Sequence, residues 1–99
     1  MSSRNHFENE FFKYMSEVAE KGAKDEESAQ DCLLFIARFM YPNTASYFRT
    51  VVKKSGLSSR TLGTWVHRQN VPSPEASQQY LEMFAQLFEE KIQPHPDDS

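Results

Sequence analysis

The stretch FRTVVKKSGLSSRTLGTWVH, residues 48–67, is the part of the chain whose reading decides the fold. It holds two short apolar patterns at helical spacing with one glycine between them. Asn43 or Thr44 is placed to cap a first helix that runs to about Lys54 and turns Ala45, Phe48, Val51 and Val52 toward a core. Gly56 closes that helix, because glycine tolerates the left-handed conformation that follows a helix end. Ser58 then caps a second helix in which Leu62, Trp65 and Val66 share the inward face. Two helices joined by so tight a turn pack at a steep angle only if the junction residues are small or apolar, and that need fixes a spacing. With Phe48 as the first position, Val51 and Val52 fall fourth and fifth, Gly56 ninth, Leu57 tenth, Leu62 fifteenth and Trp65 eighteenth. Those are the places where such a unit needs its core residues and its turn glycine.

The charge around this stretch is uneven. The 99-residue chain has a net charge of −3, yet from Asn43 to Pro74 it carries Arg49, Lys53, Lys54, Arg60 and Arg68 and no acid. That segment therefore bears +5 and the remainder −8. A local positive surface on an acidic body is the form an electrostatic footprint takes when one face meets a polyanion. Ordinary sampling of solvated surface positions is the alternative. On the second helix Ser59, Arg60, Thr61, Gly63, Thr64, His67 and Arg68 fall outside the inward stripe. Trp65 lies on that stripe and is expected in the core rather than as a stacking platform.

Helical periodicity continues on both sides. Phe7, Phe11, Phe12, Met15, Val18 and Ala19 recur as an amphipathic helix from about Asn5 to Lys21 requires, with Gly22 and the charged Lys24 to Glu27 ending it. The segment from about Ser28 to Met40 is apolar over most of its surface and reads as the central core helix; Tyr41-Pro42-Asn43 stops it. Beyond the loop marked by Pro72 and Pro74, Tyr80, Leu81, Phe84, Leu87 and Phe88 define a fifth helix from Glu75 to Ile92. Residues 93–99 offer no apolar group to bury and are expected to be a disordered tail. The fold expected is all-α: one compact five-helix domain over residues 1–92 with a helix-turn-helix at about 44–69.

Several function classes are disfavoured. With hydrophobic residues at 38%, a chain this short can build one helical core and has little room for a catalytic site in addition. No nucleophile-base-orienter set, Gly-rich phosphate loop or paired carboxylates can be recognised, so an enzyme is not expected, nor any cofactor. Cys32 stands alone inside an apolar run and reads as a buried thiol in a reducing compartment. The histidines besides His67 are His6 and His95 near the ends, too few and too scattered for a metal site. No apolar run reaches a membrane span and the first ten residues are polar and charged, so a cytoplasmic protein without membrane contact is expected.

Residues from about Leu33 to Phe88, most specifically Phe48 to Glu75, resemble the Cro/repressor-type (xenobiotic-response-element-like) helix-turn-helix family of the lambda-repressor-like fold. The likeness extends past the unit, since that family often follows its recognition-helix tryptophan with a turn and, seven residues on, a proline in a Pro-Ser-Pro-Glu context; here Trp65 is followed by Pro72-Ser73-Pro74-Glu75. Departures are Val52 in place of a small alanine, Arg68 in place of glycine three residues after the tryptophan, and missing glutamines at the starts of both helices. Arg68 is not expected to supply the left-handed turn, a role that passes to Asn70. The resemblance implies a transcriptional regulator of bacterial or phage origin, a repressor by type, which binds double-stranded DNA as a homodimer. Ser59, Arg60, Thr61 and Thr64 would then contact base edges in the major groove, with Gly63 letting the backbone approach. Lys53, Lys54, Ser58, His67, Arg68 and Asn70 would contact phosphates, Ser58 through the free amides of the helix N-terminus. Phe7, Phe11, Phe12, Phe84 and Phe88 are candidates for a dimer contact, or equally for the core of the monomer. A second reading is an antitoxin-like or antirepressor-like adaptor that keeps the fold and binds a protein partner; the net acidity and the lost glycine favour it.

Overall fold

The computed structural model describes residues 3–41 and 46–92, and these form five helices and no strand. In chain order they are α1 (Ser3–Lys24), α2 (Glu26–Met40), α3 (Ser46–Ser55), α4 (Ser59–Val66) and α5 (Pro74–Lys91). The expected caps Asn43 and Thr44, the core residue Ala45 and the tail 93–99 lie outside the described residues, as do the side chains of Phe7 and Phe48.

The three long helices make the body. Along α1, Phe12, Met15, Ala19 and Gly22 are buried at intervals of three and four, the spacing that puts them on one side of a helix. The same spacing buries Ala29, Leu33, Ile36 and Met40 on α2, and Ser77, Leu81, Phe84 and Phe88 on α5. These faces meet: α1 packs on α5 and α2, and α2 also packs on α5. Phe88 stacks on Phe84 with ring centroids 5.9 Å apart and stands 6.0 Å from Phe12, so one aromatic column joins α1 to α5. Each such ring, fully removed from water, stabilises the fold by roughly 1.5–3 kcal/mol. Phe12, Phe84 and Phe88 are at most 1% exposed. They are therefore core residues, and the expectation that they meet a second copy is corrected.

Local chemistry sets the ends. The Asp25 carboxylate accepts the Glu27 amide at 3.2 Å and the Ser28 hydroxyl at 3.0 Å, starting α2 two residues earlier than the apolar pattern alone implies. Pro74 lies within α5 rather than before it: Ser73 is the N-cap, accepting the Ala76 amide at 3.2 Å, and Pro74 takes the first turn, where a missing N–H costs nothing. Gly22 does not end α1, which runs through it to Lys24. Nor is α2 buried all round, since Phe35 and Phe39 are exposed and Cys32 is half-buried. Among the described residues no helix is long and apolar enough to cross a membrane.

Candidate nucleic-acid interface

α3 and α4 are joined by Gly56, Leu57 and Ser58. Gly56 has a φ of +76° and open space where a β-carbon would sit, so its glycine is required by backbone conformation and not by crowding. The Ser55 hydroxyl braces the turn, donating to the Val52 carbonyl at 2.6 Å and accepting the Leu57 amide at 3.2 Å. Beyond it the Ser58 hydroxyl oxygen accepts the Thr61 amide at 3.1 Å, the cap that the sequence implies. α4 is held by buried Leu62 and Trp65; the indole is 3% exposed and meets the Tyr80 ring edge-on at 5.0 Å. The two helices lean mainly on different supports, α3 on α5 and α4 on α2.

The C-terminal end of α4 explains the missing glycine. The Gln69 amide donates to the Thr64 carbonyl at 2.6 Å and the Arg68 amide to the Trp65 carbonyl at 2.9 Å. This pair of bonds closes a helix when the residue after the cap turns left-handed, the place where glycine is favoured. Here Arg68 takes it with a φ of 62°, and Asn70 follows with 53°. The expectation that Asn70 substitutes for Arg68 is thus corrected: both are left-handed, and Arg68 itself takes the position after the cap where glycine is favoured, despite its β-carbon. The loop beyond is fastened at Pro72, whose carbonyl accepts from the Gln30 amide at 2.8 Å and from the Ser77 hydroxyl at 3.3 Å.

Ser59 and Arg60 are exposed, and Thr61 and Thr64 are half-buried at the rim of the same helix. The two threonine hydroxyls are engaged locally. Thr61 Oγ1 lies 3.0 Å from Ser58 Oγ, and Thr64 Oγ1 donates to the Thr61 carbonyl at 2.7 Å. With the Thr64 proton used, its hydroxyl oxygen retains lone pairs and can act only as an acceptor toward other groups. Gly63 is not on this surface. It is buried, and a β-carbon there would come within 2.9 Å of Tyr41 Cζ, so the glycine makes room for a ring from the end of α2 instead of for a ligand. The pattern of α4 alone cannot show this, because Tyr41 approaches from outside the helix.

Lys53, Lys54, Ser58, His67, Arg68 and Asn70 are all exposed. His67 rests edge-on against Tyr41 with centroids 6.2 Å apart. Lys54 is engaged by Glu90 of α5 at 3.2 Å, an exposed pair worth about 0–1 kcal/mol. Arg49, which the sequence reading counted only as charge, joins Thr50, Lys53 and Lys54 around a shallow hollow of about 590 Å³. Its position four residues before Lys53 places both on one helix face, which is the signal that finds it. The outer surfaces of α3 and α4 and the turn after α4 thus present Arg49, Lys53, Arg60 and Arg68 without an acidic partner among the described residues. Comparison with known protein families, with characterised proteins and with solved structures found no match.

Proposed function

We propose that the chain is a sequence-specific DNA-binding transcriptional regulator that enters the major groove with α4 and acts as a dimer. The observation that carries the reading is the exposed face of α4 bearing Ser59 and Arg60, flanked by cations from α3 and from the loop after α4, in a stretch without one acid. A polyanion gains from such a surface whatever its sequence; base discrimination requires groups that reach base edges. Arg60 is long enough and free to pair in a bidentate manner with guanine O6 and N7. Thr64, with its proton committed, accepts from a base amino group or packs its methyl against thymine. Arg49, Lys53, His67, Arg68 and Asn70 supply phosphate contacts, and the capped start of α4 adds its free amides.

The second reading, a protein-binding adaptor of antitoxin or antirepressor type, is favoured by the separate docking of α3 and α4 and by the pairing of Lys54 with Glu90. Selection of bound sequences from random duplex DNA at physiological salt separates the two. A DNA reader yields a consensus, palindromic if the dimer is two-fold, and its affinity falls by roughly one log unit per tenfold rise in salt for each phosphate contacted. An adaptor retains no specific sequence at any salt, and that outcome removes the DNA reading.

A further inference from the structure

Three large apolar side chains stand out of the described surface, and all three belong to the α1–α2 face: Tyr14 is 51% exposed, Phe35 36% and Phe39 39%. They form one row. Tyr14 and Phe35 have centroids 6.3 Å apart, Phe35 and Phe39 5.1 Å, and Phe39 meets Phe11 at 5.6 Å, all edge-on. The row borders a hollow of about 320 Å³ whose lining includes Tyr14, Val18, Cys32 and Phe35 together with the charged Lys21 and Asp31.

The charges beside this row are arranged in a particular order along α2. Asp31, Phe35 and Arg38 are spaced at i, i+4 and i+7, so they share one helix face with the ring between an acid and a base. Asp31 and Arg38 are exposed, and neither has an ion-pair partner among the described residues. A sequence of minus, ring, plus is complementary to itself when read in the opposite direction. A two-fold axis crossing α2 midway between Asp31 and Arg38 sets Phe35 against its own copy and brings Arg38 opposite a second copy's Asp31, twice, as a closed isologous contact demands.

We infer that the α1–α2 face is the surface by which two copies of this chain associate, with Phe35 near the axis and the Asp31–Arg38 pairs on either side of it. The inference rests on the dimeric part of the proposed function and says where the contact lies. At roughly 200 Å² per aromatic residue, the three exposures leave about 250 Å² of ring-bearing surface on each copy. That is about a third of the roughly 800 Å² per partner of a standard interface. The rings therefore form the desolvated centre, and the flanking polar residues of α1 and α2 form the rim. A contact of this make-up is oriented by charge.

Sedimentation of the full chain without DNA, over low to high micromolar concentration, tests this. Asp31→Arg and Arg38→Asp alone each place like charges opposite one another twice and should weaken self-association about tenfold or more, with helical circular dichroism unchanged. The double variant restores opposite charges and should recover the wild-type constant; Phe35→Ser should leave a monomer. A chain that stays monomeric at high micromolar concentration overturns the inference, as does a dimer indifferent to both charge reversals or a double variant that fails to recover. A chain that dimerises in this way and retains no duplex DNA defeats only the DNA reading, whereas one that binds DNA as a monomer defeats this inference together with the dimeric part of the proposed function and leaves the DNA reading standing.

Discussion

Leu81 of α5 occupies the space that a side chain on Gly22 of α1 would need: a β-carbon at Gly22 would stand 2.5 Å from Leu81 Cδ1 and 2.7 Å from Cys32 Cβ. All three long helices meet there, and glycine is the residue that permits it. Gly22→Ala forces α5 or α2 outward and should destabilise the domain by about 1–3 kcal/mol, the usual cost of overpacking a filled core. Thermal melting checks it; an unchanged midpoint would show that the crossing is looser than described.

Arg68 adopts the left-handed conformation at a cost of about 1–2 kcal/mol relative to the right-handed helix, a cost glycine does not bear. Arg68→Gly should therefore raise stability by about 1 kcal/mol, or several degrees in a domain of this size. If Arg68 contacts a phosphate as proposed, affinity for DNA should move the other way. Gly56→Ala is the mirror experiment: nothing crowds the position, so its loss of about 1 kcal/mol reads backbone strain alone.

Glu89 and Glu20 line one groove with Glu82 and Lys24, and a hydrogen bond to Glu20 holds the Glu89 carboxyl above its ordinary range. A carboxyl with a raised folded value contributes stability that is fully present below the unfolded value and is lost as pH rises through the folded one. At neutral pH the pair is a liability. Glu89→Gln keeps a donor facing Glu20 without the charge, so its melting temperature should exceed the wild type's at pH 7, with the gap closing as pH falls toward about 4. A gap that stays constant with pH would exclude the pair as its source.

Arg60 is exposed and supports nothing in the core, so Arg60→Ala should melt as the wild type does. If it reads guanine, the substitution should weaken the selected site by about 1–3 kcal/mol while leaving binding to unrelated duplex nearly unchanged. Equal losses on both DNAs would reassign Arg60 to a phosphate.

The five helices were legible in the sequence because burial at intervals of three and four leaves its mark in residue type, as at Phe12, Met15 and Ala19 or Leu81, Phe84 and Phe88. Caps were legible where a short polar side chain precedes the pattern, as at Ser58. What escaped depends on neighbours distant in the chain. Gly22 looks like a helix stop and is a contact with Leu81; Gly63 looks like an open position and lies under Tyr41. Periodicity marks an apolar stripe without saying how many partners cover it, which is why Phe84 and Phe88 suggested an interface and are buried, while Phe35 and Phe39, within a run read as core, are exposed. For the candidate interface, the exposure of Ser59 and Arg60 followed from the α4 pattern, whereas the inward commitment of the Thr64 proton did not.

α4 is closed at one end by Ser58 and at the other by the amides of Arg68 and Gln69, and it is buried only at Leu62, Gly63 and Trp65. Of its other positions Thr61, Thr64 and Val66 are half-buried, Val66 against the core, and Ser59 and Arg60 alone are exposed. Mutational drift, or a randomised library, can rewrite Ser59 and Arg60 without disturbing the core, so the exposed start of this short segment can change what it touches while the architecture beneath stays as it is.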